Sequence, residues 1–215
     1  MKQDTLLIFG VGILAQVLFA ARMLVQWFQS EKAGKPLSPV LFWQLSLFGA
    51  ILFFIYGVLR HDFAIVLGQL LVYFIYIRNL HLKDQWSKIG PLFQWLVYLI
   101  PIASLIFLFS GAPGNIFDLL GNDDISLSLK IWGVTGQLIF TFRFVIQWIE
   151  SEKRKESILS KSFWIVSLLG STMLIIYAIF RLDPILFLGQ AGGTIFYFRN
   201  LVLGKRAKLQ EQEIE

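Results

Sequence analysis

Arg22, Gln26 and Ser30 recur every four residues, so on an α-helix they form one polar line along a single face. Arg143, Gln147 and Ser151 repeat that line later in the chain. A guanidinium presents a planar fork of donors that fits phosphate or carboxylate, so the pattern points to recognition of an anion, with a lipid headgroup as the natural ligand. Glu31 and Glu152 follow the two lines, and Arg78-Asn79 and Arg199-Asn200 are expected at the same depth. Together they would cluster arginine, amide and carboxylate groups close to one headgroup layer. The competing explanation is that Arg22 and Arg143 snorkel to the interface, with Trp27 and Trp148 as anchors.

A second polar layer lies nearer the middle of the apolar runs: Gln16, Ser46 and Gln69, matched by Gln137, Ser167 and Gln190. Six such groups could line a midplane pocket, since a polar side chain at membrane depth needs an internal partner or a wet cavity. They could equally glue helices together, with Gly49, Gly68, Gly170 and Gly189 allowing close approach. Tyr56, Tyr73, Tyr76 and Tyr197 could face a sugar or belong to ordinary packing and interfacial belts.

Other chemistries find little support. With no cysteine and two separated histidines, His61 and His81, no metal centre or thiol nucleophile is expected. No nucleophile elbow or phosphate-cradling loop is present, and Gly10-Val11-Gly12 lacks the setting of a dinucleotide site, so neither catalytic residues nor a cofactor are expected. Asp123 and Asp124 read as a solvated turn. The basic balance of +5 falls in short loops between apolar runs, which makes it a topology signal and not a nucleic-acid footprint.

The elements that must position these residues are membrane helices. The chain is 56% hydrophobic and 15% charged, with a mean hydropathy of +0.67. Apolar runs extend over Leu6–Phe28, Leu37–Leu59, Phe63–Leu80, Pro91–Phe109, Leu127–Ile149, Ile158–Phe180 and Pro184–Leu203. Each approaches the ~20 residues that a spanning helix needs. Shifting the chain by 121 positions aligns Gly12–Leu80 with Gly133–Leu201 without a gap, at roughly a third identity. This repeat makes the first span part of the folded unit and not a cleaved leader. The expected class is an all-α integral membrane protein with two parallel three-helix repeats joined by a linker helix, a 3+1+3 order of the SWEET type. The predicted divisions are a first repeat at 5–80, a linker helix and loops at 81–125, a second repeat at 126–203 and a polar, frayed tail at 204–215. Asp62 and Asp183 suit helix caps, Ser38-Pro39 a helix start and Pro184 a first helical position.

At the strings QWFQSEK and QWIESEK, at FW followed by Ser and Gly, and at GQ ending in YIRNL and YFRNL, the chain resembles the lipid A biosynthesis N-terminal domain family. The likeness covers nearly all of both repeats and departs at Pro36 and Pro39, which lack proline counterparts. That family is named for membrane segments attached to some lipid-A-disaccharide synthases and is similar in helix arrangement to PQ-loop and SWEET carriers. It implies a role in glycolipid handling in the bacterial inner membrane. The glycosyltransferase domain itself is not in these residues, so the expectation is a non-enzymatic protein that binds or translocates a lipid-linked anionic sugar headgroup. A SWEET-like carrier of small solutes and a membrane scaffold for a separate glycosyltransferase are the alternatives.

Lys32, Lys35, Arg78, Lys83, Lys88, Lys153, Arg154, Lys155, Lys161, Arg199, Lys205, Arg206 and Lys208 fall on one side of the predicted spans, against Lys2, Arg60, Lys130 and Arg181 on the other. The bias puts the C-terminus in the cytoplasm and the N-terminus in the periplasm. Reporter fusions should therefore place the loop holding Lys153, Arg154 and Lys155 in the cytoplasm. A periplasmic readout there would overturn the orientation.

Overall fold

The computed structural model describes residues 2–59, 63–109, 126–180, 182 and 184–214. Among them are seven α-helices: α1 (Lys2–Ala33), α2 (Val40–Leu59), α3 (Phe63–Leu82), α4 (Pro91–Phe109), α5 (Leu127–Arg154), α6 (Lys161–Phe180) and α7 (Pro184–Ile214). A short 3-10 helix, Trp86–Lys88, lies between α3 and α4. Each α-helix overlaps one apolar run, because a backbone in apolar surroundings must satisfy its hydrogen bonds within its own segment. Gly10–Ala33, Leu127–Arg154 and Lys161–Phe180 are long and apolar enough to cross a membrane, while the described apolar parts of α2 and α4 are shorter. Ile13, Val17, Leu24 and Phe28 of α1 are exposed, as are Ile131, Leu138 and Phe142 of α5, which suits contact with lipid chains. The expected caps Asp62 and Asp183, the pair Asp123-Asp124, and Arg60 and Arg181 lie outside the described residues.

The chain forms two compact units whose border does not follow the repeats. The first comprises Met1–Arg22 and Val40–Asn122, and the second Met23–Pro39 and Asp123–Glu215. The end of α1 and the loop after it thus belong to the second unit.

Within the first unit, α1 and α2 approach closely at two glycines. A Cβ on Gly12 would lie 2.9 Å from the Tyr56 ring, and one on Gly49 2.7 Å from Phe19. Tyr73 donates to the Val97 carbonyl at 3.0 Å, tying α3 to α4. After α3 the chain turns through Asp84, in the left-handed region at φ 54°. Trp86 then stacks on His81 at 5.3 Å and is buried, and Gln94 donates to the carbonyls of Trp86 and Ile89.

The second unit repeats the glycine contacts at equivalent positions. A Cβ on Gly133 would lie 2.6 Å from Tyr177, and one on Gly170 2.7 Å from the backbone of Phe140. Trp132 donates to the Met173 carbonyl, and the Ser171 and Thr194 hydroxyls pair at 3.2 Å, joining α5 to α6 and α6 to α7. The tail read from sequence as frayed is instead helical through Ile214, so α7 is 31 residues long. Its sequence, KRAKLQEQEI, is rich in strong helix formers.

The ends of α1 and α5 show the same turn with different residues. Gly34 follows α1 at φ 67°, where glycine carries no Cβ penalty. Lys155 holds the equivalent place after α5 at φ 55°, and the Glu156 N–H closes the turn on the Ser151 carbonyl at 3.2 Å.

Gly170→Ala should destabilise the protein by about 1–3 kcal/mol, because the new methyl meets helix backbone that cannot rotate away. Gly189→Ala, with nothing within 4 Å of the added atom, should be neutral or slightly stabilising. Thermal unfolding in one detergent checks both, and equal effects would contradict the close crossing.

Candidate functional site

In the first unit Arg22 is 8% exposed, so its guanidinium is buried. Its Nη1 donates to Ser46 Oγ and Tyr76 Oη, each at 3.1 Å. The guanidinium carbon lies 4.6 Å from the Phe19 ring centre, 5.5 Å from Phe42 and 5.8 Å from Tyr76. Phe19 stands three residues before the arginine on the same helix face. Ser46 donates its own proton to the Phe42 carbonyl at 2.6 Å, which leaves the oxygen turned to accept.

The second unit builds the same arrangement around Arg143, 5% exposed. Its Nη1 donates to Tyr197 Oη at 3.1 Å, and the Phe140, Phe144, Phe163 and Tyr197 rings surround it at 3.5 to 5.6 Å. Ser167 donates to the Phe163 carbonyl at 2.6 Å, as Ser46 does to Phe42. A cation held against several ring faces is stabilised by about 0.5–2 kcal/mol per good contact. Phe19, Phe42, Phe140 and Phe163 were not singled out from sequence. The signal available was their recurrence at the repeat offset around each arginine.

The amide line beneath the arginines serves the backbone. Gln26 Nε2 lies within 3.2 Å of Ser30 Oγ, the Leu37 carbonyl and Asn200 Oδ1, and Ser30 Oγ accepts the Leu37 N–H at 2.9 Å. Both peptide groups of one loop residue are thereby satisfied by Gln and Ser. Gln147 and Ser151 do the same for Ile158, with contacts of 3.0 and 3.1 Å. Gln26 and Gln147 are fully buried.

Two further pairs fasten the Met23–Pro39 segment to α7 inside the second unit. Asn200 Nδ2 returns a hydrogen bond to Gln26 Oε1 at 3.0 Å, making a reciprocal amide pair. Arg199 grips Glu31 with both arms of its fork: Nε donates to Oε1, and Nη2 to Oε2 at 2.7 Å. Trp27 also donates to Glu31, and Trp148 to Glu152, each four residues on. Glu152 is further bonded by Lys155 at 3.3 Å. Asn79 is buried and donates to the Ile75 carbonyl, while Arg78 is half-buried.

The midplane layer is not uniform. Gln16 and Gln137 are exposed, Gln137 lying 3.3 Å from Thr141 Oγ1. Ser46 and Ser167 are buried, and Gln69 and Gln190 each keep a buried carbonyl oxygen without a hydrogen-bond partner. Among the described residues no group of three or more His, Cys, Asp or Glu could hold a metal ion.

The sequence pattern of the lipid A biosynthesis N-terminal domain matches residues 11–81 and again 132–202, the offset that relates the two arginine environments. The chain belongs to this family. Relatives outside the pattern itself are the lipid-A-disaccharide synthases of Chlamydia felis, 30% identical over 95% of this chain and 34% of the synthase, and of Chlamydia trachomatis serovar D, 30% identical over 95% and 35%. That of Chlamydia muridarum is 29% identical over 98% of the chain and 36% of the synthase. The chain spans about a third of the length of these curated relatives. No solved structure matches it. Family membership covers both arginine environments and both Gln–Ser clamps, since all lie within the matched segments.

The amide pair generates a quantitative expectation. Asn200→Leu should strand the Gln26 carbonyl oxygen and destabilise the protein by about 1–3 kcal/mol. Adding Gln26→Leu should cost less than the sum of the single changes, with a coupling of about 1 kcal/mol or more. Unfolding of the two single variants and the double variant measures this, and strict additivity would refute the pair.

Proposed function

We propose that the chain is a seven-span, 3+1+3 protein of the bacterial inner membrane that takes part in lipid A metabolism by binding a lipid-linked anionic sugar headgroup. Arg22 and Arg143 are the groups assigned to the anion, and Tyr76 and Tyr197 sit against them. The carrying observation is that both repeats bury an arginine in the same setting of tyrosine hydroxyl and ring faces. Such a setting orients the fork of the guanidinium, which favours a phosphate or carboxylate over a neutral headgroup. A phenol accepts from arginine through its oxygen and donates with its own proton, so tyrosine can serve cation and anion together. Family membership and the synthase relatives support glycolipid as the chemical class. Glu31, Arg199, Gln26 and Asn200 support this reading as a frame around the second unit, holding the segment that follows Arg22 against α7.

A scaffold role beside a separate glycosyltransferase is the second reading. It is favoured by the relatives, which are synthases about three times as long as the matched segment.

The test compares anionic and neutral glycolipid binding to purified wild type, Arg22→Lys, Arg143→Lys and the double variant. Lysine keeps the charge but loses the fork, so the double variant should lose anionic preference by about tenfold or more. Lower thermal stability with unchanged lipid preference would leave the arginines as packing groups and favour the scaffold.

A further inference from the structure

The second unit contains a cleft of about 790 Å³ between the start of α6 and roughly the last four turns of α7, with Pro36 at its edge. Its apolar wall is made by Trp164, Ile165, Leu201, Val202 and Leu209. Lys161, Lys205 and Lys208 line it as well, and all three are exposed. No acidic residue lines it.

Two observations set this cleft apart from a general positive bias at helix ends. The first is divergence between the repeats: at the common offset, Lys161, Lys205 and Lys208 stand where the first copy has Val40, Asp84 and Ser87. The chain also behaves differently there. In the first copy α3 stops at Leu82 and Trp86 folds back to be buried against His81, whereas α7 runs on to Ile214. The second observation is the make-up of the lining: three exposed lysines and no carboxylate stand beside an apolar wall in which Ile165 and Leu209 are themselves exposed.

We propose that this cleft binds a diacyl lipid bearing a phosphate headgroup. The acyl chains lie along Ile165, Leu201 and Val202, and the three ammonium groups surround the phosphate. Basic pockets beside membrane helices favour anionic headgroups in this way, and each lysine near the surface adds measurably to the attraction. Apolar walls continuous with exposed helix surface suit a membrane lipid and not a free anion, which would need no such wall. This site is separate from Arg22 and Arg143 and does not depend on their role.

The experiment uses the full chain in neutral-lipid nanodiscs with a photoactivatable phosphatidate, the matching phosphatidylcholine, and inorganic phosphate as competitor. Phosphatidate should crosslink to residues 161–165 and 201–212, and phosphatidylcholine should not. The triple variant Lys161→Gln, Lys205→Gln, Lys208→Gln changes only exposed side chains and should reduce that crosslinking by about tenfold or more. Unchanged crosslinking in the triple variant, equal labelling by phosphatidylcholine, or labelling confined to other segments would overturn the proposal. Displacement by millimolar inorganic phosphate would overturn the lipid and leave a free-anion site. Both arginines remain in every variant, so loss of cleft labelling with glycolipid preference intact separates this outcome from failure of the headgroup reading.

Discussion

A guanidinium placed among apolar helices loses its hydration, a cost of several kcal/mol that the surrounding groups must offset. Around Arg22 and Arg143 the offset comes from charged hydrogen bonds to hydroxyls, about 1.5–3 kcal/mol each, and from ring faces. The partners come from all three helices of a repeat. Phe19 shares α1 with Arg22, Phe42 and Ser46 come from α2, and Tyr76 comes from α3. Phe140 on α5, Phe163 on α6 and Tyr197 on α7 do the same for Arg143. One buried cation per repeat therefore specifies rotation and depth for three helices, which apolar packing between lipid-facing helices cannot do unaided.

The requirement that buried polar groups find partners extends to the loops. Leu37 and Ile158 follow the ends of α1 and α5, and each has its N–H and carbonyl taken up by a serine and a glutamine from the preceding helix. The helix and its outgoing loop are closed as one piece. The second copy tolerates Lys155 at positive φ where the first has Gly34, consistent with a turn held by this clamp and not by the freedom of its turn residue.

Much of this was legible in the sequence. Seven apolar runs gave the seven helices seen among the described residues, and the four-residue spacing gave the arginine line, because length and period depend only on residue types along the chain. The partners of Gln26 and Gln147 were not legible: Leu37 and Ile158 contribute backbone groups, which every residue possesses. Glu31 and Arg199 are 168 residues apart, and nothing local joins them. Gln16 and Gln137 show the opposite limit, since a glutamine within an apolar run gives no sign of which way it faces. The helical tail was legible in principle from its Lys, Gln, Glu and Leu content, but polarity masked propensity.

The border between the compact units cuts α1 between Arg22 and Met23, and Gln26 finds Asn200 174 residues later. Chains are synthesised at about 5–20 residues per second, so Asn200 is added roughly 9–35 seconds after Gln26. During that interval the end of α1 has its own serine and loop but not its partner on α7. The nascent protein thus carries an incomplete polar junction while every intervening helix is made, and the arrival of α7 completes the end of α1.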